Sequence, residues 1–204
     1  METSLSNVLK WVAGGMQPPH PRSEIHQVLG KPMPKILVTG ASGRLGQALQ
    51  RQQGFDFIPI SGVDLSNFEN TAAVISSCGP FDGIVTLAGG WAPDDQQDDE
   101  EMMSKNFLTA LNAVGASIDI LKASSHPRIV MIGAASALTD QTTAYNRAKN
   151  AVHNLAKMLA KELPPKFKVN VIAPSQITDY DYVAAQIVKL LQIGNKQTGE
   201  IFIV

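Results

Sequence analysis

The sequence predicts an α/β fold: a single domain built on a doubly wound parallel sheet of about seven strands, with helices on both faces. Three observations predict it. From residue 35 onward, short runs rich in Val, Ile and Leu alternate with longer stretches whose apolar residues recur every three to four positions. That alternation makes a parallel sheet buried on both sides. The first run, KILVT, opens directly onto a glycine turn and a helical pattern. The length of 204 residues is enough for one sizeable core but not two.

Residues 1–32 precede this pattern and are read as an N-terminal extension of short helices or mobile chain, either vector-derived or upstream of a natural start at Met33, or else a docking or oligomer arm or a weak membrane-surface helix; residues 33–204 form the domain. In the extension, Leu5, Val8, Leu9 and Val12 follow Ser4 at helical spacing, and Gly14-Gly15 ends that face. Pro18, Pro19 and Pro21 exclude helix from the next stretch, and Ser23 could cap a second short helix. In the domain, residues 35–39, 55–60, 84–88, 128–132, 168–172 and 201–204 read as strands. Between them, Phe68, Ala72 and Ile75 mark a short helix, and Phe107, Leu111, Val114, Ile118 and Leu121 mark four turns of another. Ala148, Val152, Leu155 and Leu159 stripe a long helix that Pro164-Pro165 ends, and Val183, Ile187 and Leu190 mark the last.

Charge is nearly balanced, with 17 Lys and Arg against 18 Asp and Glu, so neither a nucleic acid nor a membrane surface is the expected partner. A single cysteine, Cys78, excludes an intramolecular disulfide and suits a reducing compartment. No apolar run approaches transmembrane length, and Glu2 stands where a basic leader would begin. The expectation is a cytoplasmic protein acting on a small molecule.

Ligands of such sheets sit at the carboxyl ends of the strands, here Gly40, Ser61, Ala88-Gly89, Gly133-Ala134 and Pro174. Gly40, Gly43 and Gly46 separate the first strand from its helix, the Rossmann-type arrangement that holds a dinucleotide pyrophosphate. Gly40 would permit the turn, Gly43 the approach of phosphate, and Gly46 the seating of helix on strand. Further on, YNRAK places the phenol of Tyr145 and the ammonium of Lys149 four residues apart on one helix face. An ammonium beside a phenol favours phenolate and lowers the tyrosine pKa. Such a tyrosine can hand a proton to a carbonyl or imine while a cofactor delivers hydride. Alone the pair is an ordinary helical feature. Its position after a strand, downstream of the glycine turn, makes it a catalytic candidate.

These segments together resemble the short-chain dehydrogenase/reductase family, over residues 35–204. TGASGRLG (39–46) is similar to the family's cofactor loop in a G-x-x-G-x-x-G spacing, and Asp64-Leu65 resembles its adenine-contacting pair. LAGG (87–90) stands where the family has Asn-Ala-Gly; Asn106, opening a helix, matches the asparagine of its proton relay; and Tyr145 and Lys149 match its catalytic pair. VNVIAP (169–174) and TGEIFIV (198–204) match its closing elements. The resemblance implies an NAD(P)(H)-dependent oxidoreductase with Tyr145, Lys149, Asn106 and Ser136 as catalytic candidates. It places Gly40, Ser42, Gly43, Arg44, Leu45, Gly46, Asp64, Leu65, Ala88, Gly89, Lys149, Pro174 and Ile177 against the cofactor. The alternative is a cofactor-binding regulatory or scaffold protein that has lost catalysis.

Three departures bear on substrate. The family serine lies about a dozen residues before the tyrosine, where this chain has Ala134; Ser136 is nine before it and could substitute across a deletion near Asp140. Pro174-Ser175 replaces Pro-Gly, and residues 177–179 leave almost nothing of the usual substrate lid. Gly89-Gly90-Trp91 and the missing serine resemble the dihydropteridine reductase branch of the family, so a planar, electron-poor carbonyl, quinonoid or imine substrate stacked on Trp91 is expected. NADP(H) is expected ahead of NAD(H), because Ser61-Gly62 rather than an acid follows the second strand and Arg44 could pair with a 2′-phosphate. No metal is expected: the four histidines are scattered, and Asp94, Asp95, Asp98, Asp99, Glu100 and Glu101 read as a solvated loop favouring a helix N-terminus. Leu108, Ala156 and Met158 broaden the apolar surface of the helices at 103–122 and 142–162, which points to a homodimer or homotetramer.

Overall fold

The computed structural model describes residues 32–93 and 96–204. The expectations for residues 1–31 and for Asp94 and Asp95 lie outside the described residues. Six parallel strands form one sheet among them: β1 (Lys35–Thr39), β2 (Asp56–Ile60), β3 (Gly83–Thr86), β4 (Arg128–Ile132), β5 (Lys168–Ala173) and β6 (Ile201–Ile203). Their order is β2-β1-β3-β4-β5-β6. The sheet has six strands rather than about seven because the chain leaving β2 crosses straight back to β3, on the far side of β1. β2 is therefore an edge, and it tolerates Pro59, which sits opposite Val38 and has no N–H to give to a neighbour.

Successive residues of each strand serve opposite faces, so two cores form. Leu37, Ile84, Ile129, Met131, Val169 and Val171 point to one face. There they meet α2 (Phe68–Ser77), α4 (Thr109–Ala123) and α5 (Ala144–Glu162). Ile36, Val38, Val85, Val130 and Ile172 point the other way, onto α1 (Arg44–Gln50) and α6 (Tyr180–Leu191). Ala156 belongs to the first core and is buried, so it does not widen an outer face as expected; its side chain is short enough to lie under α5. Leu108 and Met158 are exposed.

Side-chain oxygens fix the helix starts. Asn67 accepts from the Asn70 amide at 2.9 Å, Thr143 from the Asn146 amide at 3.2 Å, and Asp179 from the Tyr182 amide at 3.0 Å. Asp98 does the same for α3 (Asp99–Met103), which continues through a π-helical turn (Ser104–Leu108) into α4. Asn106 therefore does not open a helix. It lies inside a continuous one that starts earlier, at the acidic residues Asp99, Glu100 and Glu101.

Candidate functional site

The carboxyl end of β1 is shaped by two glycines. Gly40 has φ of 66°, and a Cβ there would lie 2.6 Å from the Ala88 amide nitrogen, so the turn presses directly on the chain leaving β3. A Cβ on Gly46 would lie 2.6 Å from the Gly40 carbonyl oxygen, which is how closely α1 seats on that turn. Gly43 caps α1 with no side-chain bond, leaving its first amides free of a capping group. Ser42, Gly43 and Arg44 are exposed, and Leu45 is buried.

A cleft of about 890 Å³ opens beside this turn. Leu45, Leu87, Gly89 and Ile132 form its inner walls, Tyr145 and Lys149 project from α5, and Pro174, Ile177 and Tyr180 close the side nearest α6. Lys149 is buried, and its Nζ donates to the Ile132 carbonyl at 3.2 Å. That nitrogen is 5.6 Å from the centroid of the Tyr145 ring. Burial pushes the Lys149 ammonium down to about 8. It pushes the Tyr145 phenol up, contrary to the lowering expected from the neighbouring ammonium; in this pocket desolvation sets the direction.

Asn106 faces the same wall and braces the chain after β3. Its Nδ2 donates to the Gly90 carbonyl at 2.9 Å, and its Oδ1 accepts from the Gly90 amide at 3.2 Å. Nδ2 also meets the Met102 carbonyl at 3.2 Å. A Cβ on Gly89 would lie 2.6 Å from Asn106 Oδ1, so only glycine leaves this strip flat against the carboxamide. The π-helical turn supplies the inward aim of Asn106, an irregularity often found at functional sites.

Ala134 and Ser136 both line the cleft. The Ala134 amide donates to His153 Nε2 at 3.3 Å. His153 also occupies the space a side chain at Gly133 would need. Burial first, and then the charges of Lys149 and Lys157, pull His153 down to about 4, so it is neutral at working pH. Ser136 Oγ donates to Asn146 Oδ1 at 2.8 Å. Trp91 stands at the mouth with 65% of its surface exposed.

Other expected contacts lie off the cleft. Asp64 is held by the Ser66 hydroxyl at 2.6 Å and then by the Ser66 amide at 2.9 Å, which lower its pKa in that order, and Leu65 is a core residue. Arg44 lies over Tyr180, with its guanidinium carbon 6.0 Å from the ring centroid. Of the acidic residues, Asp98 caps α3, Asp99 pairs with Arg147 at 2.6 Å, and Glu101 pairs with Lys105. Among the described residues no group of three His, Cys, Asp or Glu could hold a metal ion. The sequence reading missed His153, Asn146 and Tyr180. His153 follows Lys149 by four residues and Tyr145 by eight, a helical spacing that would have flagged it.

Comparison with known proteins agrees with this geometry. A curated relative, the rhamnolipids biosynthesis 3-oxoacyl-(acyl-carrier-protein) reductase of Pseudomonas aeruginosa, is 34% identical over 85 residues, 38% of this chain and 33% of that one. The cis-2,3-dihydrobiphenyl-2,3-diol dehydrogenase of Rhodococcus globerulus is 30% identical over 140 residues, 63% of this chain and 50% of that one. The chain thus spans a third to a half of the length of these relatives. A 3-oxoacyl-(acyl-carrier protein) reductase from Brucella melitensis, solved with bound NAD, superposes with a TM-score of 0.73 at 18% identity, covering 84% of this chain and 89% of that one. That likeness carries the fold alone. A family model described as short chain dehydrogenase matches residues 44–185. The matched stretch contains every residue that lines the cleft, and the chain belongs to the short chain dehydrogenase family.

Proposed function

We propose that this chain is an NAD(P)H-dependent oxidoreductase that reduces a small planar carbonyl, quinonoid or imine substrate. The observation that carries this reading is the pairing of Lys149 and Tyr145 in the cleft wall. An ammonium has three protons to donate, and the Ile132 carbonyl takes one of those on Lys149. Two remain on a buried charge that faces the cleft, which fits the hydroxyls of a cofactor ribose. Gly40, Gly43 and the uncapped start of α1 fit its pyrophosphate. When bound, a reduced nicotinamide supplies hydride.

Tyr145 supplies the proton. Its raised pKa keeps the phenol protonated, and the Lys149 charge stabilises the phenolate left after transfer. Asn106 keeps Gly89 and Gly90 flat beside the reacting centre, and Trp91 offers a face on which a planar substrate can stack. Without a serine at position 134, an unactivated ketone would lack one oxyanion donor, a loss worth a few kcal/mol. A quinonoid ring, such as a quinonoid dihydropterin, needs less of that help.

Arg44 supports NADP(H) as the preferred cofactor: among the described residues it has no carboxylate partner, and no acid directly follows β2. NAD(H), the cofactor of the Brucella melitensis structure, is the competing choice. The lone thiol Cys78 supports a cytoplasmic setting. No helix of the described residues is long and apolar enough to cross a membrane.

The test is turnover of quinonoid dihydropterin, quinones and small ketones with either cofactor. Tyr145→Phe should keep cofactor affinity and lose about 10²–10⁴-fold in turnover. Arg44→Ala should weaken NADPH while sparing NADH. Unchanged turnover in Tyr145→Phe removes the mechanism.

A further inference from the structure

Ser136, Asn146 and Asp140 form a chain of hydrogen bonds along one wall of the cleft, and its direction is fixed by chemistry. Asn146 Nδ2 lies 3.4 Å from Asp140 Oδ2, and Asp140 Oδ1 accepts the Thr142 amide at 2.8 Å. That amide bond, first among the causes, holds the Asp140 carboxyl below its ordinary range, so it is ionised and can only accept. The edge of Asn146 that faces it must therefore be the NH₂ group. The opposite edge, Oδ1, faces Ser136 and can also only accept. Ser136 has one proton, and the buried Asn146 oxygen holds it. What the hydroxyl has left for the cleft is its lone pairs.

We infer that Ser136 acts in this site as a hydrogen-bond acceptor, and that the protein selects substrates bearing a hydroxyl or N–H beside the carbonyl or imine that is reduced. The inference rests on the oxidoreductase reading above and names its substrate class. Asn146 directly follows Tyr145 in the first turn of α5, so the acceptor it orients and the phenol face the cleft from neighbouring positions. Tyr145 gives a proton to the reacting oxygen or nitrogen, and Ser136 receives one from the group next to it. To serve a bare ketone instead, Ser136 would have to turn its proton into the cleft, stripping the buried Asn146 oxygen of its donor. Asp140 and Asn146 are positioning residues; Ser136 is the one that touches substrate.

Three ketones separate these cases with the full chain and NADPH or NADH: α-hydroxyacetophenone, α-methoxyacetophenone and propiophenone. The methoxy compound keeps the electron withdrawal of the hydroxy one but has no proton to donate. The hydroxy ketone should exceed the methoxy ketone by about tenfold or more in kcat/KM. Ser136→Ala should erase that ratio. Asp140→Asn, whose amide can give or accept, should narrow it, whereas a merely structural defect would lower both substrates in proportion. Equal kcat/KM for the hydroxy and methoxy ketones, or a ratio that survives in Ser136→Ala or in Asp140→Asn, overturns the inference and leaves the oxidoreductase reading standing. Absence of cofactor-dependent turnover with all three overturns this inference, and absence with quinonoid dihydropterin and quinones as well overturns the oxidoreductase reading.

Discussion

His153 lies one helical turn beyond Lys149, sealed under the end of β4 with its Nδ1 unpartnered among the described residues. Its folded pKa of about 4 lies below the ordinary value of 6.5. Between those values the unfolded chain binds more protons than the folded one, so stability falls as pH drops through this window. The loss should be on the order of 3 kcal/mol. Urea unfolding at pH 7, 5.5 and 4.5 should show it, and His153→Gln, which can still accept from Ala134, should flatten the dependence. A flat profile in the unaltered protein would mean that His153 is not held neutral by its surroundings. Tyr145 and Lys149 were legible as candidates because both sit on one helix, where spacing alone sets their face. His153 shares that helix and its spacing, but its role does not follow from spacing, because the amide it serves, Ala134, lies 19 residues away; Asn146 was not legible, because Ser136 lies 10 residues away in the turn after β4.

The elements were readable where periodicity is sustained and unreadable where it shifts. β1, β4 and β5 came out close to their expected bounds because buried parallel strands are nearly continuous apolar runs. The helix leading into α4 starts at Asp99 rather than near 103: the acidic residues expected to favour a helix N-terminus form its first turn, and a π-helical turn moves the register without leaving a mark in the apolar pattern. The glycine turn is a different case, since the roles foreseen for Gly40 and Gly46 depend only on backbone room. Gly46→Ala should therefore act on the packing of a whole element. Its methyl would meet the Gly40 and Ala41 backbone at 2.6–2.7 Å, and neither can move without lifting α1 from β1. Overpacking of this kind costs about 1–3 kcal/mol. Thermal unfolding should fall by several degrees, and an unchanged melting temperature would contradict the close seating of α1.

At the scale of the whole molecule, Leu108 and Met158 expose 36% and 56% of their surface. Apolar side chains left on two helices favour a second copy of the chain as their cover. Light scattering at micromolar concentration should give a homodimer or homotetramer, and Leu108→Lys with Met158→Lys should give a monomer; a monomeric parent would contradict this. The sheet itself has two unequal ends. At β2 a strand arriving from another molecule meets Pro59, which offers it no donor. At β6, three residues ending in Ile203, 61% exposed, present an outer row unpaired among the described residues. Among the described residues, growth of β-structure from the folded state is therefore easier at β6 than at β2. Two molecules joined at β6 use up the open row of each, so association through that edge closes at a pair rather than running on into a fibre.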